Sequence, residues 1–247
     1  MTVYLSPSTK DYQLSTVTGI SEKETMKLFS EEIAKNLENL GISVFISNTP
    51  LSPSQSATDS NSKGADLHIA LSSLRSTDNT ERGARIYYSS TDAQSKEYAE
   101  AVAKSLMEIY PTPSTIEAIA NDSFIELIGT DSPAIIISIS NQNNPDDAKW
   151  FSENMGDIAQ NIAVSVGNIL GVENNTKPLT ALGIVSSPSG YATIRKTPSP
   201  TARIIGRVQN GSPVRIIGAV GDWYAIIAKA TEGYVLSGEI TAETPEQ

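Results

Sequence analysis

The sequence predicts two folded parts, an α/β three-layer sandwich with a mostly parallel sheet and, after it, a small all-β barrel. Three observations carry this reading. Along residues 1–172, apolar runs of strand length alternate with helical periodicity. From residue 181 onward the pattern changes to short β-branched runs separated by glycines. Charge divides at the same place: residues 1–180 hold 12 basic and 23 acidic side chains, whereas residues 181–247 hold 6 and 5.

Val3-Tyr4-Leu5 opens the first part as a buried strand. A helix follows with Met26, Phe29, Ile33, Leu37 and Leu40 on one face, Ser21 as its N-cap, Glu24 three residues on and Gly41 closing it. Strands are expected at Ser43–Ile46, Asp66–Leu71 and Arg85–Tyr88, then a helix near Ser95–Tyr110, a strand at Ala134–Ile139 and a last helix near Ala148–Leu170. The polar stretch Glu173–Pro178 after Gly171 sets a linker at 173–180, with the domains at 1–172 and 181–247. In the second domain the expected strands are Ile194-Arg195, Ala202–Val208, Pro213–Ile217, Trp223–Ile227 and Tyr234–Leu236.

Composition removes several function classes. With 18 Lys and Arg against 28 Asp and Glu, a formal charge of -10 opposes binding to a phosphate backbone, so no nucleic-acid partner is expected. No apolar run reaches the ~18 residues of a membrane span. The chain has no Cys and one His, which excludes thiolate chemistry, disulfides and any zinc site built on two imidazoles. The opening MTVYLSPST has no secretion-leader pattern. That leaves a cytoplasmic, spore-associated or phage-lysis-associated location, or export through a leader since removed.

A series of landmarks runs through the first domain: Tyr4-Leu5-Ser6-Pro7-Ser8-Thr9, Ser21-Glu22 with Met26 after it, and Asp59-Ser60-Asn61-Ser62-Lys63-Gly64-Ala65-Asp66-Leu67-His68-Ile69-Ala70-Leu71. Arg82-Gly83 precedes Tyr87-Tyr88, Phe124-Ile125-Glu126-Leu127 precedes Pro133-Ala134, and Asn144 precedes Asp147-Ala148-Lys149-Trp150. In order and spacing these residues resemble the zinc-dependent N-acetylmuramoyl-L-alanine amidases, which cut the amide between glycan and peptide stem in bacterial peptidoglycan. The resemblance implies two His and one Glu on zinc, and a second Glu as general base.

This chain departs from that set at three of four positions. The first His position falls on Thr9 in one alignment and on Tyr12 in another. Glu22 keeps the zinc Glu position, where a carboxylate also complements the start of a helix. The second His position is Ser72, and the general-base position is Ser138. His68 cannot replace the imidazole at 72, because four residues of strand at about 3.3 Å each separate them by about 13 Å, against a coordination bond of about 2 Å. It is read as a hydrogen-bonded core residue. Asp146 and Asp147 are read as a solvated turn before the last helix.

Residues 181–241 resemble bacterial SH3-type domains through Tyr191–Arg195, Pro198-Ser199-Pro200, Asn210-Gly211, Gly221-Asp222-Trp223-Tyr224 and Gly233-Tyr234-Val235. In that family such modules bind peptidoglycan peptides between aromatic walls, which makes Tyr191, Trp223, Tyr224 and Tyr234 the candidate contacts. Trp223 is expected in the barrel core, with Tyr224 facing the other way. The whole reading is a peptidoglycan-binding or muropeptide-binding protein on an amidase fold, without catalysis and without a cofactor. Its alternatives are an active amidase with a non-standard site, in which case zinc returns, and a structural protein with a protein partner.

Overall fold

The computed structural model describes residues 1–12, 14–47, 50–74, 79–172, 181–229 and 231–242. It separates into two units, Met1–Gly171 and Val172–Gln247. The proposed linker at 173–180 lies outside the described residues.

The first unit runs β1 (Thr2–Pro7), α1 (Glu22–Asn39), β2 (Ser43–Ile46), α2 (Pro53–Lys63), β3 (Leu67–Leu74), β4 (Ala84–Tyr88), α3 (Ala93–Ile109), β5 (Ile116–Ala120), α4 (Ile125–Ile128), β6 (Ala134–Asn141) and α5 (Pro145–Ile169). The strands form one sheet in the order β2-β1-β3-β6-β4-β5. Only the β4–β6 pairing is antiparallel among these neighbours, so the mostly parallel sheet is as expected. Central strands β3 and β6 are buried along nearly their whole length, which is why they read as continuous apolar runs rather than as alternation.

Two helical layers enclose the sheet. Helix α5 packs on α1 and α3 on one side. On the other, α2 packs on α4 and is tied to β1 by Tyr4 Oη donating to Asp59 (2.8 Å) and Ser56 Oγ donating to Ser6 Oγ (2.6 Å). Ser21 caps α1 by accepting from Glu24 N, and Gly41, just past the Leu40 cap, takes φ 79°. The sequence pattern did not announce α2, because its buried positions are Ser56, Ala57 and Ser60 and no apolar stripe exists to be read. Its ends were legible all the same: Ser52 and Gln55 form a capping box, Pro53 occupies the first turn and Gly64 takes φ 61°.

Asp147 corrects one expectation. Asp146 is solvated and pairs with Arg82 at 3.1 Å, but Asp147 is only 3% exposed. It accepts hydrogen bonds from Asn141 N (2.7 Å), Gly83 N (3.2 Å) and the Tyr110 hydroxyl. A buried carboxylate that meets three donors ties α5 to β6, to the β4 turn and to the end of α3. Burial pushes the Asp147 carboxyl above the usual range while these donors pull it back.

The second unit runs β7 (Ala181–Val185), β8 (Tyr191–Arg195), β9 (Ile204–Gln209), β10 (Pro213–Val220), β11 (Trp223–Ala228), β12 (Thr231–Leu236) and β13 (Ile240–Ala242). They form one antiparallel sheet in the order β13-β7-β10-β11-β12-β8-β9. Val185, Ala192, Ile194, Val214, Ile216, Ile226, Val235 and Ile240 make its core. No helix among the described residues is long and apolar enough to cross a membrane.

Candidate functional site

The parallel strands β1, β3 and β6 end on the same edge of the sheet, where open α/β folds hold their ligands. There a cleft of about 520 Å³ is lined by Ser6–Lys10 from the end of β1, Ala70–Leu74 from β3, Ile136 and Ser138 from β6, and Leu51, Pro53, Tyr87, Phe124 and Glu126 from the walls. Strand register sets Ser72 directly beside Ser138, and their hydroxyl oxygens lie 2.6 Å apart in a hydrogen bond. The two positions that the resemblance marks for an imidazole and a carboxylate are thus adjacent in space and occupied by hydroxyls that satisfy each other.

Thr9 lines the cleft, whereas Tyr12 is 74% exposed and lies outside the lining residues. Of the two alignments, the geometry therefore favours Thr9. Glu22 opens α1 and is fully buried, with neither carboxylate oxygen hydrogen-bonded among the described residues. Lys10 Nζ lies 3.9 Å from Oε1. His68 is buried as expected, stacked on Tyr4 at 5.3 Å, with Nε2 3.3 Å from Glu126 Oε1. Its Nδ1 has no partner among the described residues.

Zinc, the metal that the resemblance implies, does not fit these residues. Thr9 and Ser72 offer neutral hydroxyls where an imidazole is needed, and an ammonium faces the one carboxylate of the set. Among the described residues no three His, Cys, Asp or Glu side chains gather as a ligand set.

Sequence reasoning missed Lys10 and the role of Glu126. Both stand in quoted or adjacent segments, but their convergence on one cleft depends on sheet order. Glu126 meets Ser6 across 120 positions of chain.

In the second unit Trp223 is buried, as expected, and Tyr224 faces the other way, yet Tyr224 too meets the core. Tyr224 pairs with the core residue Val235 and packs on the core cluster. Trp223 shares the other face with Ala225 and so with Tyr234, which pairs with Ala225, although Trp223 is itself 8% exposed. Tyr234 also pairs with Arg195, and its hydroxyl is pushed up by burial. Tyr191 is half-buried, and the Arg207 guanidinium lies 4.9 Å from its ring centroid. Tyr224→Ala is expected to cost the second unit about 2–3 kcal/mol, while Tyr191→Ala and Tyr234→Ala leave it folded. Urea unfolding of the three variants checks this.

Sheet order, cleft position and the attached antiparallel unit define an amidase-type α/β protein with an SH3-like appendage. The sequence model of N-acetylmuramoyl-L-alanine amidases matches residues 9–168, and the chain belongs to that family. The bacterial SH3 domain model matches residues 190–241. Solved structures share the fold at low identity. The catalytic domain of CwlV, an N-acetylmuramoyl-L-alanine amidase from Bacillus (Paenibacillus) polymyxa, is 18% identical with a TM-score of 0.60, covering 70% of this chain and 99% of that one. An N-acetylmuramoyl-L-alanine amidase from Clostridium difficile 630 is 20% identical with a TM-score of 0.62, covering 70% and 97%. The CwlD amidase of Clostridioides difficile, solved in complex with the GerS lipoprotein, is 15% identical with a TM-score of 0.59, covering 70% and 99%. No curated protein sequence matches this chain.

Proposed function

We propose that this chain binds peptidoglycan through an amidase-type cleft that holds a muropeptide without hydrolysing it, the SH3-type unit adding a second contact with the wall. The observation that carries the reading is the Ser72–Ser138 hydrogen bond at the centre of the cleft. Neither hydroxyl binds a dication as an imidazole does, and neither serves as a general base at neutral pH. The single His of the chain is engaged elsewhere, under Tyr4 and beside Glu126.

Zinc content tests this without a choice of substrate. After equilibration with zinc and desalting, the purified protein should retain almost none; about one equivalent per chain would return hydrolysis as the leading reading. Purified sacculi should pull the protein down and release no new L-alanine amino groups. On the sacculus, Tyr234→Ala should weaken binding by about 1–3 kcal/mol through loss of an aromatic contact. An active amidase with a non-standard site is the second reading, favoured by the buried carboxylate of Glu22, which has no hydrogen bond among the described residues. Under that reading Glu22→Ala abolishes a release activity that wild type shows.

A further inference from the structure

We infer that Glu126 makes the cleft selective for a ligand carrying a free amine, the ammonium of an amino-acid side chain in a peptide stem being the group it takes. This rests on the muropeptide reading above and names the feature of the ligand that is read.

Charge in the cleft is sparse. Among the described residues that line it, Glu126 is the only acidic one and Lys10 the only basic one; hydroxyls and the apolar surfaces of Leu51, Leu71, Phe124 and Ile136 supply much of the rest. Lys10 already has a counter-charge, since its Nζ lies 3.9 Å from Glu22. Glu126 meets only the His68 ring, 3.3 Å from Oε1, among the described residues that could carry positive charge, and its other oxygen is left for a ligand to answer.

Its carboxylate is also held in place. Ser6 Oγ donates to Oε1 at 2.5 Å, and His68 Nε2 lies 3.3 Å from the same oxygen. Behind them Ser56 fixes Ser6 through a 2.6 Å bond, and the Tyr4 ring stacks on His68. Both side-chain bonds fall on Oε1, so Oε2 has no partner among the described residues. The side chain is only 13% exposed, which means that most of its hydration is already lost before a ligand arrives. An ammonium that reaches Oε2 makes a charge-assisted hydrogen bond in partly dry surroundings with little left to reorganise. An N-acetylated amine offers a weaker neutral donor and added bulk.

The test is calorimetric titration of the full chain with two probes, a muramoyl tripeptide ending in lysine and the same molecule with that lysine acetylated on its side-chain amine. Wild type should bind the free-amine probe about tenfold or more tightly than the acetylated one. Glu126→Gln, which keeps the acceptor for Ser6, should bind both alike and weakly. Equal affinity of wild type for the two probes overturns the inference while leaving the muropeptide reading intact. Binding of neither probe by wild type overturns both. Preference retained in a folded Glu126→Gln variant overturns the role of Glu126, and the wild-type comparison stands even if that variant does not fold.

Discussion

Asp147→Ala should destabilise the first unit by about 3 kcal/mol or more, because it strips three donors of a shared acceptor at once in a dry interior. The Asn141 and Gly83 amides and the Tyr110 hydroxyl all point at this one carboxylate; without it the Asn141 amide and the Tyr110 hydroxyl lose their acceptor, and the Gly83 amide keeps only Tyr110 Oη. The chain has two tryptophans, and they fall in different units. Trp150 packs on Tyr110 at 4.3 Å between ring centroids, so its emission follows the unfolding of the first unit. In a Trp223→Phe background, the urea midpoint read at Trp150 should drop sharply for Asp147→Ala. A midpoint that stays put would show that water reaches these donors.

Gly83→Ala should cost a similar amount, about 3 kcal/mol, by a different route. Gly83 takes φ 107°, a region that an L side chain rarely enters. A Cβ there would lie 2.2 Å from the Thr115 carbonyl oxygen, which is backbone and cannot swing aside. The same residue gives its amide to Asp147 and to Tyr110 Oη, so any shift that relieves the clash loosens that junction. Because the two substitutions share partners, the double variant should cost less than the sum of the singles. Arg82-Gly83 and Asn144…Asp147, noticed first as landmarks of a family, thus have a structural meaning. They are the two sides of the junction that holds the β4 turn against the start of α5.

What could be read from the chain divides along a physical line. Strands β1, β3 and β6 and helices α1, α3 and α5 bury continuous apolar sequence or an apolar stripe, and local pattern finds them. Helices α2 and α4 and strand β5 are short or bury small polar residues, and pattern passes over them. That no pair of imidazoles can form was legible because the whole chain has one His, whereas the reading of Ser138 rests on the resemblance alone. Asp147 was misread because its position after Pro145 looks like an ordinary first turn, while its partners Gly83 and Tyr110 are 64 and 37 positions away. Trp223 and Tyr224 show the same limit on a smaller scale. Alternation tells that neighbours face apart, but only the pairing of Tyr224 with Val235 shows that Tyr224 packs on the core cluster while Trp223 is buried on the other face.

The bare carboxylate of Glu22 bears on how well the protein withstands heat. A buried acid with a lysine at 3.9 Å and no hydrogen bond among the described residues weakens the native state in a way that a well-packed thioether would not. Glu22→Met should therefore raise stability by about 1–3 kcal/mol, and each kcal/mol lifts the melting temperature of a chain this long by about 2–4 °C. A scanning calorimeter would show the gain directly. By linkage, any small cation that settles on that carboxylate in the native state alone raises the same temperature as its concentration rises. The start of α1 is thus a built-in thermometer for such cations, and a thermal-shift screen of them needs no prior guess about chemistry.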